Sequence, residues 1–117
     1  MLTILLAVFL GYMSPAPPSA TTGFVNIGNV AAPTVTFKDT TNCKIGMTCG
    51  YEITSVNSIG ESGPSSIVTV TWPTTNTTAT GVTLTWVAPT TGGAPTGYNI
   101  YFLAAPGAPT NPSGTVN

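Results

Sequence analysis

The feature that most constrains the fold is the alternation of apolar and polar residues along several short segments. In the segment Gly50–Ser58, Tyr51 and Ile53 recur at alternate positions, and a Gly-rich stretch at residues 59–64 follows. A period of two residues predicts a strand with one buried face, and the glycines predict the turn of a hairpin. No stretch after Tyr12 has a useful helical period. The sequence therefore predicts an all-β protein.

Similar patterns predict further strands on both sides of this one. The candidate strands are Gly23–Val30, Pro33–Lys38, Ser66–Trp72, Val82–Trp86 and Tyr98–Phe102, with one more short strand near Thr115–Val116. Alternate residues of a half-buried strand face the interior. The predicted core consists of Tyr51, Ile53, Leu84, Trp86, Tyr98 and Ile100.

The chain is almost free of charge. Its 117 residues include two lysines, three carboxylates and no histidine or arginine, for a formal net charge of −1. This length suits one domain of ordinary size. A nucleic-acid partner is not expected, because binding phosphates requires clustered Lys or Arg. A net charge near zero instead favours association with other protein subunits.

The ionisable residues do not form a recognisable catalytic set. Asp39, Glu52 and Glu61 are the only carboxylates, and two of them could in principle serve a glycosidase. However, Glu52 alternates outward on its strand and Glu61 lies in the predicted turn, so both are expected to be solvated. Lys38 and Lys44 are expected to pair with Asp39 or to face solvent. We predict no catalytic residue and no cofactor.

Cys43 and Cys49 lie in the predicted connection between two strands. A disulfide between them would close a short loop and stabilise the fold by about 2 kcal/mol. The alternative is two free thiols. Two cysteines without a histidine do not make a zinc site, and no histidine is present to activate a cysteine nucleophile. We therefore predict no metal site.

Aromatic residues suggest one binding alternative. A sugar-stacking platform could be built from Trp72, Tyr98, Tyr101 and Phe102, although alternation assigns most of these side chains to the core or to sheet faces. The triplet at residues 76–78 matches a glycosylation acceptor, which matters only in a eukaryotic secretory pathway.

The N-terminal residues 1–13 form a continuous apolar run, followed by a Pro-rich spacer that extends to residue 22. Three interpretations are open: a secretory signal peptide, an ordered segment buried against a partner subunit, and a membrane anchor. The run has no preceding Lys or Arg and is short for a membrane span. We expect a subunit contact formed by Leu2, Ile4, Leu5, Leu6, Val8, Phe9 and Leu10.

Two blocks of the chain resemble the fibronectin type III module, an immunoglobulin-like fold. Residues 82–89, Val-Thr-Leu-Thr-Trp-Val-Ala-Pro, and residues 97–101, Gly-Tyr-Asn-Ile-Tyr, resemble its second and third strands. Residues 34–72 resemble its fifth, sixth and seventh strands, with Tyr51 at the position of the tyrosine corner. The resemblance implies an antiparallel β-sandwich with Trp86 in its core.

The two blocks occur in the reverse of the family's order, and almost no room is left for a first strand between Trp72 and Val82. The resemblance thus implies a sandwich that is either circularly permuted within one chain or completed by strands swapped between neighbouring chains. In either arrangement one sheet edge lacks its usual first strand. The apolar N-terminal segment is the natural candidate to cover it.

Residues 1–22 are thus expected to form an N-terminal anchor segment and spacer, and residues 23–117 a single sandwich domain. The predicted function is that of a non-enzymatic structural subunit, for example a capsid decoration or minor virion protein of a virus or phage, or an extracellular filament subunit. Its expected partners are subunits of the same assembly, either its own copies or a major coat protein. The expected location is the virion or an extracellular surface, and a membrane is not expected. The alternative is a secreted adhesion module that binds carbohydrate or protein.

Overall fold

A computed structural model of the chain describes residues 2–6, 13–14, 21–90, 93–104 and 114–116, with residues 2–6, 13–14 and 114–116 described by their backbone alone. These residues are all-β, and none of them lies in a helix. The strands are β1 (Leu2–Leu6), β2 (Met13–Ser14), β3 (Val25–Ala31), β4 (Thr36–Asp39), β5 (Thr48–Asn57), β6 (Gly60–Ser62), β7 (Val68–Thr71), β8 (Val82–Trp86), β9 (Gly97–Ala104) and β10 (Gly114–Val116).

The strands form two sheets. The first sheet has the order β10-β1-β8-β4, and the second has the order β2-β6-β5-β9-β3, with β7 also paired to β5. Strands β1 and β8 are parallel, whereas the other described pairings are antiparallel. The N-terminal strand β1 therefore pairs with one edge of β8, and β4 pairs with the other.

Strand β5 is the centre of the second sheet. One of its edges pairs with β9 from Cys49 to Val56, and the other edge is shared by β7 and β6. Between those two strands, serine side chains replace the missing backbone partners. The N–H of Ser55 donates to Ser62 Oγ and the N–H of Ile53 donates to Ser65 Oγ, each at 2.9 Å. The Ser residues after the Gly-rich turn thus keep this edge satisfied.

One hydrophobic core contains residues of both sheets, an arrangement compatible with a β-sandwich. All six predicted core residues are buried. The rings of Trp86 and Tyr98 meet edge to face with centroids 5.3 Å apart, and those of Tyr51 and Phe102 at 5.5 Å. Because Tyr51 and Trp86 belong to the same cluster, the two halves of the sequence enclose one interior.

Close backbone approach explains one glycine of the first sheet. A Cβ atom on Gly81 would lie 2.5 Å from the carbonyl oxygen of Asp39. No side chain fits at that distance. Gly81 therefore lets the chain enter β8 directly beside the end of β4, its antiparallel partner.

Candidate functional site

The three carboxylates are the only acidic side chains of the chain and thus the first candidates for chemistry. Asp39 ends β4 and is buried. Its Oδ2 accepts a 2.6 Å hydrogen bond from the hydroxyl of Tyr51, and its Oδ1 accepts bonds from the N–H of Thr41 and from both the N–H and the side-chain amide of Asn42. Burial acts to raise the pKa of Asp39, but these hydrogen bonds outweigh it and lower the pKa below its ordinary value.

The Tyr51–Asp39 contact fixes the loop that follows β4 onto β5. Burial, followed by the hydrogen bond and negative charge of Asp39, strongly raises the pKa of the Tyr51 hydroxyl, so Tyr51 remains a protonated donor. A buried, charge-assisted hydrogen bond of this kind is strong and structural.

Glu52 is not solvated, and the prediction that it faces solvent was wrong. Its side chain does leave the core on the outer face of β5, but it is 0% exposed because the chain that precedes β3 covers it. The N–H of Thr21 donates to Glu52 Oε1 at 2.6 Å, and the Thr21 hydroxyl donates to Oε2 at 3.0 Å. Burial raises the pKa of Glu52, and the two hydrogen bonds from Thr21 offset only part of that effect.

Glu61 lies in β6 and is half-buried, so the prediction of a solvated turn residue was also wrong. Its Oε2 accepts hydrogen bonds from the hydroxyls of Thr54 and Tyr101 and from the side-chain amide of Asn99. Burial acts to raise the pKa of Glu61, but the three donors outweigh it and lower the pKa. The carboxylate thereby joins β5, β6 and β9 across the outer face of the second sheet.

Each carboxylate is therefore held by its own set of neutral donors. This arrangement stabilises loops and sheet faces. Among the described residues, no group of three or more His, Cys, Asp or Glu side chains is placed to hold a metal ion. The Lys38 amine donates to the hydroxyl of Thr80 at 2.9 Å rather than pairing with Asp39.

The two cysteines are joined in a disulfide with an S–S distance of 2.07 Å. Beside it, the loops at residues 40–45 and 76–80 border a pocket of about 360 Å³ that includes Lys44 and Trp72. The indole N–H of Trp72 donates to the carbonyl of Asn76 at 2.9 Å. The four aromatic residues considered for a sugar platform, Trp72, Tyr98, Tyr101 and Phe102, are all less than 10% exposed, so they do not form an open stacking surface.

The surface best suited to a function is the side of the molecule formed by β3, β4 and the residues 32–35 that connect them, called here the β3–β4 side. Both strands end the order of their sheets. The ring of Phe37 on β4 packs on Gly28 of β3, since a Cβ on Gly28 would lie 2.8 Å from it. Within the described part of the chain, the outer edges of β3 and β4 have no strand partner, and they lie on the same side of the core.

Apolar residues predominate on the β3–β4 side, and its one exposed charge is Lys38 of β4. Most of the half-buried hydrophobic residues packed against the core lie here: Ile27, Val30, Ala32, Val35 and Phe37. Val25 is 57% exposed. Lys38 is the first charged side chain of the whole sequence. Sequence reasoning did not identify this surface, although the absence of charged residues before Lys38 was the signal that could have revealed it.

The predicted N-terminal contact is placed only in part. The backbone of Leu2, Ile4, Leu5 and Leu6 belongs to β1, which pairs with β8 on one edge and with β10 on the other. Val8, Phe9 and Leu10 lie outside the described residues. The role of this segment in binding a neighbouring subunit stays a prediction.

Comparison of the chain with models of known protein families, with curated proteins and with solved structures found no significant match. Within the described residues, no helix has the length and apolar character needed to cross a membrane.

Proposed function

We propose that this chain is a non-enzymatic structural subunit that binds other protein subunits of a larger assembly, such as a virus capsid or tail or an extracellular filament. The observation that carries the proposal is the β3–β4 side. There, two strand edges that have no partner among the described residues flank half-buried apolar residues, and Lys38 is the first charged residue. Unprotected strand edges and apolar patches of this kind are association sites.

The physical argument compares this side with the usual protection of strand edges. Soluble proteins discourage edge pairing with lysine, proline or inward-pointing charge. The edge strand β4 carries the exposed Lys38, but β3 contains none of these features. The net charge of −1 provides little repulsion between copies or between this chain and a neutral partner. A chain with these properties is best explained by a partner that covers the surface.

We further propose that the fold is fibronectin III or immunoglobulin-like with a permuted strand order. In that family the second and fifth strands are neighbours, and the third, sixth and seventh form the other sheet. The strands assigned to these positions have the same neighbours: β8 is paired with β4, and β5 is paired with both β9 and β7. Strand β1 stands beside β8 where the family has its first strand, but in parallel orientation.

In this proposal the N-terminal segment is the second contact with the assembly. Its residues Leu2, Ile4, Leu5 and Leu6 belong to a strand that pairs with β8, and the same pairing can be formed with β8 of a neighbouring copy. The location that follows is the surface of a virion or an extracellular filament.

The test is to isolate the chain from its natural source and to measure the mass of the complex that contains it. We expect the chain in a large particle that survives washing in about 1 M salt, because an uncharged contact is not weakened by screening. A free chain of 11.9 kDa would contradict the proposal. A free chain that begins near Thr21 would support the secreted alternative.

The pocket beside Trp72 favours one second candidate, a secreted module that binds a small carbohydrate or peptide. Its volume of about 360 Å³ lies within the range of ligand sites, and hydroxyl groups of Thr77 and Thr80 are among its lining groups. Saturation-transfer NMR with neutral mono- and disaccharides would distinguish the two candidates. Contacts that disappear on Trp72→Ala but not on Val87→Ala would favour binding.

A further inference from the structure

We infer that the partner of the β3–β4 side is a second copy of this chain, and that the two copies pair their β3 strands antiparallel about a two-fold axis at Asn29. The inference deepens the proposed function and rests on it, because it names the occupant of the surface that carries that proposal. It follows from three properties of β3: the direction of its backbone groups, the hydrogen bonds that already satisfy groups at its two ends, and its lack of charged residues.

The register shows which backbone groups of β3 point outward. Ala32 donates its N–H to the carbonyl of Thr96 at 3.0 Å, and β3 continues in the same register with Val30 opposite Tyr98 and Asn29 opposite Asn99. Residues in an antiparallel ladder alternate between those that bond to the neighbouring strand and those that point away from it. Asn29 and Ala31 therefore direct their N–H and C=O groups away from β9.

The backbone groups at the two ends of β3 are partly satisfied within the chain, which leaves Asn29 as the central position without a strand partner among the described residues. At the C-terminal end, the carbonyl of Ala31 accepts the N–H of Thr34 at 3.1 Å. At the N-terminal end, a register shift occurs between Asn26 and Gly28, and Asn26 Oδ1 accepts the N–H of Gly28 at 2.9 Å. A partner strand is thus best accommodated around Asn29.

A two-fold axis at Asn29 gives each backbone group a matching partner. The N–H of Asn29 in one copy donates to the carbonyl of Asn29 in the other, and the reverse bond forms by symmetry. Gly28 of one copy then lies opposite Val30 of the other on the face that holds Phe37. Because the Phe37 ring packs on Gly28, the opposing Val30 covers the exposed part of that ring.

The lack of charge on β3 allows a second copy of this chain to be the occupant. In a symmetric strand pair each residue lies near itself or a close neighbour, so one charged residue on β3 would face its own like charge. None of the residues 25–31 is charged, and thus nothing opposes self-pairing. A basic or acidic partner would find no complementary charge on this strand.

The test uses the full-length chain and two opposite charges at one position. Sedimentation equilibrium of the unmodified protein is expected to show a reversible dimer. Asn29→Lys and Asn29→Asp are each expected to weaken dimerisation by about tenfold or more, because like charges then lie across the axis. An equimolar mixture of the two variants is expected to restore association, since the introduced ammonium group of one copy then faces the introduced carboxylate of the other.

The matched control is Thr71→Lys, which places the same charge at an exposed position on β7. Strand β7 pairs with the edge of β5 that lies opposite β9. It is expected to leave the dimer unchanged. Circular dichroism of all variants checks that exposed substitutions leave the fold intact. The inference is overturned if the unmodified chain is monomeric, if the Asn29 variants dimerise normally, or if the mixture fails to associate.

This experiment separates the inference from the function on which it rests. A chain found in a native particle but monomeric when purified would place a different protein on the β3–β4 side, so the inference would fail and the structural role would stand. A chain that dimerises through Asn29 but belongs to no larger particle in its natural source would support the inference and contradict the structural role.

Discussion

Removing the hydroxyl of Tyr51 is expected to destabilise the fold more than its single oxygen atom suggests. The substitution Tyr51→Phe keeps the ring and its edge-to-face contact with Phe102. It removes the donor that lies 2.6 Å from Asp39 Oδ2. Because Asp39 is buried, this oxygen loses its donor while it remains shielded from solvent.

The magnitude follows from the charge of the acceptor. A hydrogen bond to a charged group contributes about 1.5–3 kcal/mol, and we expect a loss of about 2–3 kcal/mol in the free energy of unfolding at pH 7. The pKa of Asp39 is lowered in the folded state, so its contribution is present above the ordinary value of 3.8 and is lost as the pH falls through the folded-state pKa. The difference between the two proteins should therefore narrow toward about 1 kcal/mol as the pH falls through the folded-state pKa of Asp39 and the acceptor becomes neutral.

The assay is urea denaturation at pH 7 and at a series of lower pH values, followed by the fluorescence of the buried tryptophans. The matched control is Tyr101→Phe, because its hydroxyl also donates to a carboxylate, but Glu61 keeps two other donors on the same oxygen. The control is expected to cost about 1 kcal/mol. The charge-assisted role of the Tyr51 hydroxyl would be refuted if Tyr51→Phe lost no more free energy of unfolding than Tyr101→Phe, or if its loss did not change with pH.

Three further perturbations test the packing, the loop and the covered face. Gly81→Ala should destabilise the fold by about 1–3 kcal/mol, measured by thermal unfolding, because the new Cβ would meet a carbonyl oxygen at 2.5 Å. The control Gly63→Ala, whose Cβ would have no atom within 4 Å, should be nearly neutral in the same measurement. Replacing Cys43 and Cys49 by alanine should lower the free energy of unfolding by about 2 kcal/mol, and reducing agent should then have no additional effect. The pKa of Glu52 is raised in the folded state, so the contribution of Glu52 to stability is full below its ordinary pKa of 4.5 and declines as the pH rises through the folded-state pKa. Glu52→Gln should therefore gain stability relative to the unmodified chain between pH 4 and pH 7. A difference in the free energy of unfolding that stays constant over this range would contradict the prediction.

The core was predictable because its residues repeat every second position. Val82–Trp86 alternates without interruption and forms β8 with the same bounds. The predicted strand at Gly50–Ser58 corresponds to β5, which begins two residues earlier at Thr48. Local alternation determines which face of a strand is buried, so it located the residues that meet in the interior.

The burial of the outer sheet face was not predictable from that pattern. Alternation assigns Glu52 to the outer face but does not show what covers that face. The cover is Thr21, 31 positions away, and long-range contacts of this kind leave no periodic signal. The β3–β4 side was missed for a related reason, because the positions of strands at the edges of sheets depend on the topology of the whole chain.

Hydrogen exchange of the free chain and of the same chain in its native assembly would locate the contact surface. We expect the amides of residues 25–37 to gain protection in the assembly, with Asn29 among the most protected. Slower exchange limited to the loop at residues 73–80, or equal exchange in both states, would show that the β3–β4 side is not the contact.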